Sequence, residues 1–330
     1  MRRYKALSKQ IFNHNEFKIV SIRHEDRHKI MQWRNQQMYH LRQDKPLTKE
    51  NQDKYFDKVI NKLFEEEKPN QLLFSFLKKE ECIGYGGLVH INWIDKNAEI
   101  SFIMKTELEK QSFGKNWGLF LDLIQQVAFS ELNFHKIFTY AFDIRPELYK
   151  AIEEKGFRKE ATLKEHCFFN DIFIDVVIHS KINYQLEFIE AGLEHAKLLF
   201  DWTNEKTVRI NSLNTKPIKW EDHLKWFNEK LKSRQNHIFI YFSNSKPIGQ
   251  VRLDLEDQVW LIDYSVDIDF RGRGLGTKIL KKSINLETFN QFKAIVKEEN
   301  EASIYVFKKL GFTQIKSINK EFKEFYYAKP

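Results

Sequence analysis

Cysteine, proline and glycine are all scarce in this chain, and each shortage argues against a class of architecture. Two cysteines among 330 residues, Cys82 and Cys167, cannot build a disulfide framework, and neither lies at a metal-ligand spacing. Six prolines and twelve glycines argue against a low-complexity or linker-dominated chain. We therefore expect a reduced, cytoplasmic protein with packed cores and no bound metal.

Long hydrophobic runs are also missing. No stretch approaches the ~20 apolar residues of a membrane span. The basic start, Met1–Lys5, lacks the apolar core of a signal peptide. We expect residues 1–16 to form a loosely held leader, and we expect no membrane partner.

Charge of one sign is never concentrated, although the formal net charge is +8. Runs of lysine also contain acidic residues, as in residues 64–68 and 78–81. This mixture is typical of a solvated surface rather than a stripe that binds nucleic acid. We therefore expect no nucleic-acid partner.

What the chain does contain is a long-period repeat. A chain of 330 residues suits two domains, and both halves carry the same order of helices, strands, loop, helix, strand, helix and strand. Three short motifs recur in that order, namely Trp33-Arg34-Asn35 with Trp202-Thr203-Asn204, Ile83-Gly84 with Ile248-Gly249, and Gly156-Phe157 with Gly311-Phe312. We predict two copies of one α/β unit, at residues 17–183 and 184–330.

The loop 271–276, with the sequence Arg-Gly-Arg-Gly-Leu-Gly, lies between a predicted strand at 260–266 and a predicted helix. The first N–H groups of a helix have no internal acceptor, and the helix dipole adds positive charge there. Glycine allows a phosphate to approach the backbone. The loop is thus suited to hold a pyrophosphate.

Two other phosphate-binding loops do not fit this spacing. The third glycine is misplaced for a dinucleotide-binding Gly-x-Gly-x-x-Gly, and the Gly-Lys-Ser/Thr ending of a P-loop is absent. A glycine turn without any ligand remains open on the loop alone.

The loop matches the Gln/Arg-x-x-Gly-x-Gly/Ala signature of the GNAT acetyltransferase superfamily, as Arg271-x-x-Gly274-x-Gly276. Residues 299–312, from Asn300 to Gly311-Phe312, resemble that superfamily's second signature. The resemblance implies two tandem domains, each a splayed mixed sheet flanked by helices, and acetyl-coenzyme A as co-substrate. It implies that coenzyme A contacts Val266, Arg271, Gly272, Arg273, Gly274, Leu275, Gly276, Thr277, Asn300 and Ser303.

Proton transfer is harder to assign. Many superfamily members place a tyrosine four residues before the Gly of Gly-Phe as general acid, and Phe307 stands there. We expect Phe307 to be a core residue. Tyr305 is the nearby candidate acid, although it lies ~200° around the helix from that position. A proton supplied by water, or the absence of a dedicated acid, is the alternative. Acetyl transfer needs a neutral amine, so a base is required. Candidate bases are Asp263, His223 and Glu221.

The acceptor is suggested by a narrower resemblance. Residues 200–212 and 220–227 are similar to GNAT enzymes that acetylate amino sugars on nucleotide carriers in pseudaminic-type acid synthesis. This resemblance implies an acceptor cleft lined by Arg209, Asn211, Ser212 and His223.

The first half resembles the branch of ribosomal-protein-alanine and spermidine acetyltransferases, through Trp33-Arg34-Asn35 and Ala98-Glu99-Ile100. Its loop keeps Gln111-x-x-Gly114 but has Asn116 where the last glycine belongs. Either this half is an altered coenzyme A site, with Glu99 as candidate base, or it is catalytically silent.

The sequence therefore predicts transfer of an acetyl group from acetyl-coenzyme A to a primary amine of a small molecule, by direct attack and without metal. A protein- or peptide-directed acetyltransferase and a non-catalytic regulatory protein that binds acyl-coenzyme A are the alternatives.

Overall fold

The computed structural model describes residues 2–41, 43–318 and 321–329, without the side chains of residues 110, 111, 147 and 316–318. The chain divides into two compact units, Met1–Asn183 and Tyr184–Pro330. Each unit contains one mixed β-sheet with helices.

The N-terminal unit has an eight-stranded sheet in the order β1-β2-β3-β4-β5-β6-β8-β7. Its strands are β1 (Ile11–His14), β2 (Phe17–Ser21), β3 (Leu72–Lys78), β4 (Glu81–Asn92), β5 (Asn97–Met104), β6 (Lys136–Phe142), β7 (Arg158–Phe169) and β8 (Ile172–Ile182). Its helices are α1 (Arg27–Gln36), α2 (Lys49–Tyr55), α3 (Asn61–Leu63), α4 (Thr106–Gln125) and α5 (Glu147–Glu154), with wider π-helical turns at Phe56–Ile60 and Gln126–Glu131.

The C-terminal unit repeats this topology in a seven-stranded sheet, in the order β14-β15-β13-β12-β11-β10-β9. Its strands are β9 (Glu187–Glu190), β10 (Asn236–Ser243), β11 (Lys246–Glu256), β12 (Val259–Val266), β13 (Gln291–Lys297), β14 (Thr313–Ile318) and β15 (Phe322–Ala328). Its helices are α6 (Ala196–Asn204), α7 (Lys206–Asn211), α8 (Trp220–Lys232), α9 (Leu275–Ile284) and α10 (Glu301–Lys309). The predicted repeat of one α/β unit is confirmed, because β9–β15 follow the order of β2–β8.

Each sheet contains one parallel pair of neighbouring strands, and that pair separates soon after it begins. β5 and β6 pair only from Asn97 with Lys136 to Glu99 with Phe138. β12 and β13 pair only at Trp260 with Phe292 and Leu261 with Lys293. Beyond these residues the parallel strands diverge, which opens a cleft through each sheet. The predicted splayed mixed sheet is thus confirmed.

Helices cover both faces of the C-terminal sheet. On one face, Leu275, Ile279 and Leu280 of α9 are buried together with Phe307 of α10. A second cluster joins α6 and α8 to β10, and it contains Leu199, Trp202, Phe227, Ile238 and Ile240. A helix that places apolar residues on one stripe must bury that stripe against the sheet, so these patterns explain the layers.

The expectation of a loose leader at residues 1–16 is wrong. Tyr4 is 1% exposed, stacks on Phe64, and its hydroxyl donates to the Leu73 carbonyl at 2.8 Å. β1 pairs with β2 from Ile11 to His14. Tyr4, Leu7 and Phe12 belong to the core of the N-terminal unit.

Among the described residues, no helix is both long enough and apolar enough to cross a membrane.

Candidate functional site

The loop that follows β12 has backbone geometry that glycine makes possible. Gly272 and Gly274 both lie in the left-handed region, at φ 72° and 73°. Gly274 is the N-cap residue of α9. A side chain there would meet no atom within 4 Å, so the space beside Gly274 is open. The first-turn N–H groups of α9 have no acceptor inside the helix. Such a helix start fits a phosphate group.

Gly276 has a different function from that of Gly274. A Cβ atom on Gly276 would lie 3.0 Å from Cε2 of Tyr264 on β12. The glycine therefore allows the Tyr264 ring to pack under the first turn of α9. The Tyr264 hydroxyl is 3.1 Å from Oγ of Ser303, and burial raises the pKa of Tyr264.

The two arginines of the loop form bonds within the protein. Nε of Arg271 donates to the Val266 carbonyl at 2.8 Å, and its Nη2 lies 2.7 Å from Oε2 of Glu205. Arg273 donates to the Asp269 carbonyl at 2.7 Å and is also bonded to the Tyr184 hydroxyl. The resemblance implies that both contact coenzyme A, and in the structure both brace the loop.

Glu205 connects the loop to the opposite helical layer. Its carboxylate accepts from the backbone N–H groups of Thr207 and Val208, at 2.9 and 3.2 Å, and so caps α7. The pKa of Glu205 is lowered overall: burial raises it, and the bonds from Thr207 and Arg271 outweigh that effect. This contact between residues 66 positions apart was not visible in the sequence.

The remaining predicted contacts of coenzyme A surround the same loop. Oδ1 of Asn300 accepts from the N–H of Ser303 at 3.1 Å and caps α10. Leu275 is buried in the core, and Thr277 is half-buried in the first turn of α9. Val266 ends β12, where that strand has already separated from β13. The loop, the strand end and the start of α10 are thus joined through shared bonds.

The three candidate bases differ in their exposure and in their contacts. Asp263 is exposed on the splayed part of β12, and its carboxylate lies 3.5 Å from Nη2 of Arg252. Glu221 is exposed in the first turn of α8. His223 is 2% exposed, its Nε2 lies 3.0 Å from the Ala196 carbonyl, and burial lowers its pKa. The expectation that His223 acts in the cleft is corrected, because it is a core residue.

The residue at the usual acid position and the candidate acid Tyr305 also differ in their exposure. Phe307 is 3% exposed and packs against Phe312 and Phe325, which agrees with the predicted core position. Tyr305 is 63% exposed, and its hydroxyl lies 3.5 Å from Nζ of Lys309 on the same helix. Tyr305 therefore lies on the outer surface of α10.

The predicted acceptor residues bond mainly to their own loop. Arg209 donates to the carbonyl of Thr203 at 2.7 Å and to Oγ of Ser212 at 2.9 Å. Ser212 donates to the Val208 carbonyl, and Asn211 donates to the Thr207 carbonyl. Burial lowers the pKa of Arg209, while the charge of Asp263 raises it. These side chains order the segment after α7, which adjoins Asp263.

The N-terminal unit has no equivalent of the glycine loop among its described residues. α4 begins at Thr106 and continues to Gln125, so Gly114 lies inside a helix. The first turn carries Glu107 and Glu109, and Glu109 is paired with Nη1 of Arg145 at 2.6 Å. Asn116 is buried and donates to Oγ of Ser112. The side chain of Gln111 lies outside the described residues. The altered loop expected at 111–118 is a helix.

The N-terminal cleft nevertheless remains open. Where β5 and β6 separate, it forms a cavity of about 610 Å³. Glu99 lines this cavity with its carboxylate 2.9 Å from Nδ1 of His90, and its side chain is 15% exposed. The N-terminal unit thus keeps a cleft with a carboxylate, and the C-terminal unit keeps the glycine loop.

The described part of the chain offers no group of three or more His, Cys, Asp or Glu side chains suited to hold a metal ion. Cys82 is buried, burial raises the pKa of its thiol to about 12, and the thiol donates to the Gly84 carbonyl.

Comparisons with known proteins agree with this geometry. The family model described as an acetyltransferase (GNAT) domain matches residues 19–178, and the acetyltransferase (GNAT) family model matches residues 198–312. The chain belongs to the GNAT acetyltransferase family, with two domains in tandem.

Individual relatives are more distant. The chain is 30% identical over 98 residues to the spermidine N(1)-acetyltransferase of Vibrio cholerae serotype O1, covering 30% of this chain and 55% of that protein. It is also 30% identical to an uncharacterized N-acetyltransferase of Methanocaldococcus jannaschii, covering 30% of this chain and 48% of that protein. The chain thus spans about half the length of the curated relatives it matches.

Among solved structures, the chain is similar to spermidine N-acetyltransferase from Vibrio cholerae in complex with CoA and spermine. The identity is 22% and the TM-score is 0.45, with 51% of this chain and 96% of that chain covered. Mutant forms of the spermidine/spermine N-acetyltransferase from the same organism give 21% identity and a TM-score of 0.44, with 51% and 95% covered.

Proposed function

We propose that this protein transfers an acetyl group from acetyl-coenzyme A to a primary amine, and that the C-terminal domain carries the activity. The observation that carries the proposal is the left-handed Gly274 at the start of α9, with open space beside it, at the end of a splayed strand. This geometry suits a diphosphate and is missing from the described residues of the N-terminal domain, where α4 is helical from Thr106.

In this proposal the first-turn N–H groups of α9 hold the diphosphate. The strand edges of β12 and β13 do not pair with each other beyond Leu261 and Lys293, so they offer backbone groups to the amides of the pantetheine arm. Bound acetyl-coenzyme A supplies the thioester that the amine attacks. The Arg271–Glu205 ion pair would keep the loop and α7 in a fixed relation while both substrates bind.

Asp263 is the base that we propose. It lies on the splayed part of β12 and faces away from the buried Ile262, toward the side that carries Arg209 and Arg252. Its carboxylate would take a proton from the acceptor amine as the new amide forms.

Tyr264 is the proton donor that we propose for the leaving thiolate. Phe307 occupies the position of the usual tyrosine and cannot donate, whereas Tyr264 contacts it edge-on with ring centroids 5.7 Å apart. The raised pKa of Tyr264 keeps its hydroxyl protonated at neutral pH. Ser303, 3.1 Å away, would orient that hydroxyl.

The acceptor that we propose is an amino sugar carried on a nucleotide. The relative from Vibrio cholerae is named for spermidine, a polycation. Around Asp263, however, two guanidinium groups are present: Arg252 lies 3.5 Å away and also pairs with Asp254 at 3.0 Å, and the pKa of Arg209 responds to the charge of Asp263. These guanidinium groups can donate to an anionic acceptor and would repel a polyamine.

A thiol-release assay tests the proposal. Purified protein is mixed with acetyl-coenzyme A and one acceptor at a time: an amino-sugar nucleotide, spermidine, or a peptide with a free N-terminus. Free thiol that appears only with an acceptor supports the transferase, and the preferred acceptor identifies its class. Preference for the peptide would favour a protein-directed enzyme instead.

A second candidate function is non-catalytic binding of acyl-coenzyme A, because the usual acid position holds a buried phenylalanine. Tight binding of coenzyme A without thiol release across a broad amine panel would favour that regulatory function. Absence of coenzyme A binding would reject both functions.

A further inference from the structure

The N-terminal cleft contains a positive charge that no described side chain neutralises by direct contact. Arg34 of α1 lines the cavity, and its Nε and Nη1 donate to Oε1 of Gln43 at 3.0 Å and to the Tyr85 hydroxyl at 2.9 Å. Both partners are neutral. Within the described residues, its Nη2 has no hydrogen-bond partner, and no carboxylate lies within 4 Å. A half-buried guanidinium of this kind favours an anionic partner.

A network of hydrogen bonds fixes the position of the Arg34 side chain. Gln43 donates to Oδ1 of Asn35 at 3.0 Å, and the same Oδ1 accepts from the N–H of Leu47 at 2.7 Å. The guanidinium is therefore fixed before any ligand arrives, which reduces the entropy lost on binding.

A buried imidazole supplies a second, independent sign of a missing partner. His179 of β8 lines the cavity and is 1% exposed. Its Nδ1 has no hydrogen-bond partner in the described part of the chain, and its Nε2 is no closer than 3.5 Å to Glu153. Buried polar atoms are normally satisfied, so an unpaired nitrogen beside a cavity indicates a ligand or solvent partner.

A negative group lies further along the same cleft. Glu99 of β5 is opposite Val89 of β4, whereas Tyr85, which holds Arg34, is opposite Ile103. Tyr85 and Val89 are four residues apart and so lie about 13 Å apart on one face of the sheet. If the two charges are spaced like these backbone positions, with Arg34 donating and Glu99 accepting hydrogen bonds of about 2.8 Å, about 7 Å remains between the charges of the ligand.

We infer that the N-terminal cleft is a small-molecule site for an ω-amino acid, with the carboxylate bound to Arg34 and the ammonium group to Glu99. A volume of about 610 Å³ is ample for such a compound. The site is separate from the glycine loop of the C-terminal domain and does not depend on the proposed function. Acetyl-coenzyme A is a poor occupant, because the described residues of this unit form no glycine loop and α4 is helical from Thr106.

Calorimetric titration of the full chain tests this inference. 6-Aminohexanoate, whose charges are about 7 Å apart when extended, is the probe. Hexanoate and hexylamine each carry one of its charges, and glycine carries both at short range. We expect 6-aminohexanoate to bind at least tenfold more tightly than the other three. Absence of binding by 6-aminohexanoate, or equal binding by hexanoate and hexylamine, would overturn the inference.

Single substitutions test whether Arg34 and Glu99 bind the two charged ends of 6-aminohexanoate. Arg34→Gln and Glu99→Gln should each weaken binding of 6-aminohexanoate at least tenfold, whereas the exposed Arg234→Gln and Glu229→Gln should not. Ala141→Trp fills the cleft without removing either charge and should abolish binding, which guards against misfolding at Arg34 or Glu99. Unchanged binding in Arg34→Gln or in Ala141→Trp would contradict the assignment.

Competition with coenzyme A distinguishes this site from the proposed function. We expect 6-aminohexanoate to bind equally well with and without saturating coenzyme A. Displacement of the probe by coenzyme A would show that the N-terminal cleft is a coenzyme A site, and the inference would fail while the proposed transferase survived.

Discussion

A single position in the glycine loop allows the charge of the site to be changed with little effect on its shape. Gly274 lies at φ 73°, and a side chain there would meet no atom within 4 Å. Asn and Asp tolerate this left-handed conformation better than other side chains. Gly274→Asp and Gly274→Asn are therefore nearly equal in shape and differ by one negative charge.

The size of the effect follows from Coulomb's law. A carboxylate about 5 Å from a phosphate charge, at an effective dielectric constant of 20 or somewhat higher, costs about 2–3 kcal/mol. We therefore expect Gly274→Asp to bind coenzyme A about 30–150-fold more weakly than Gly274→Asn. Added salt should narrow this difference, because exposed charges are screened.

Calorimetric titration with coenzyme A is the assay, and thermal unfolding of both variants is the control for folding. Equal affinities in the two variants would refute the reasoning, because a diphosphate held at α9 must respond to the added charge. If both variants bind coenzyme A equally weakly compared with the protein that has Gly274, the loss of affinity comes from a steric effect of residue 274 on the loop rather than from contact with phosphate.

Three further predictions concern proton transfer and stability. Tyr264→Phe should lower kcat about 100-fold while KM for acetyl-coenzyme A changes little, whereas Ser303→Ala should have a smaller effect; an unchanged kcat would reject Tyr264 as the donor. Tyr4→Ala should lower the free energy of unfolding by about 3–5 kcal/mol in urea denaturation, because it empties a core position. A change below about 0.5 kcal/mol would support the original expectation that residues 1–16 are loosely held. Burial and the charge of Arg145 lower the pKa of His40 from 6.5 to about 3. Stability should therefore be full above pH 6.5 and fall below it, because the unfolded state binds the proton first. Replacing His40 with Gln should reduce that slope by up to about 1.4 kcal/mol per pH unit, and an unchanged slope would contradict the assignment.

The fold could be predicted largely from the sequence because its signals are local. Alternating or continuous apolar runs indicate the strands, and glycines between the strand at 260–266 and an apolar-periodic segment indicate the loop before α9. The two diverging clefts could be expected only through the resemblance to the superfamily, because no local pattern shows where paired strands separate.

The errors arose where distant contacts decide the role of a residue. Tyr4 is held by Leu73, which lies 69 positions away. The pairing of Arg271 with Glu205 likewise joins residues far apart in the chain, so it could not be predicted from the sequence. His223 has the chemistry of a base, yet packing between aromatic side chains makes it part of the core.

The N-terminal loop shows how a motif can mislead. Gln111-x-x-Gly114 matches the superfamily pattern, but residues 106–125 also form one long amphipathic helix. A glycine costs only about 1 kcal/mol inside a helix, and packing of the apolar stripe outweighs that cost. Retention of the pattern therefore did not mean retention of the loop.

Acceptor-dependent thiol release in two single variants tests the central claim most directly, because each variant disables one domain. Gly274→Asp changes the loop of the C-terminal domain, and Ala141→Trp fills the cleft of the N-terminal domain. We predict that release of free thiol from acetyl-coenzyme A is strongly reduced at limiting acetyl-coenzyme A in Gly274→Asp and retained in Ala141→Trp. The reverse result, with activity kept in Gly274→Asp and lost in Ala141→Trp, would contradict the assignment of catalysis to the C-terminal domain.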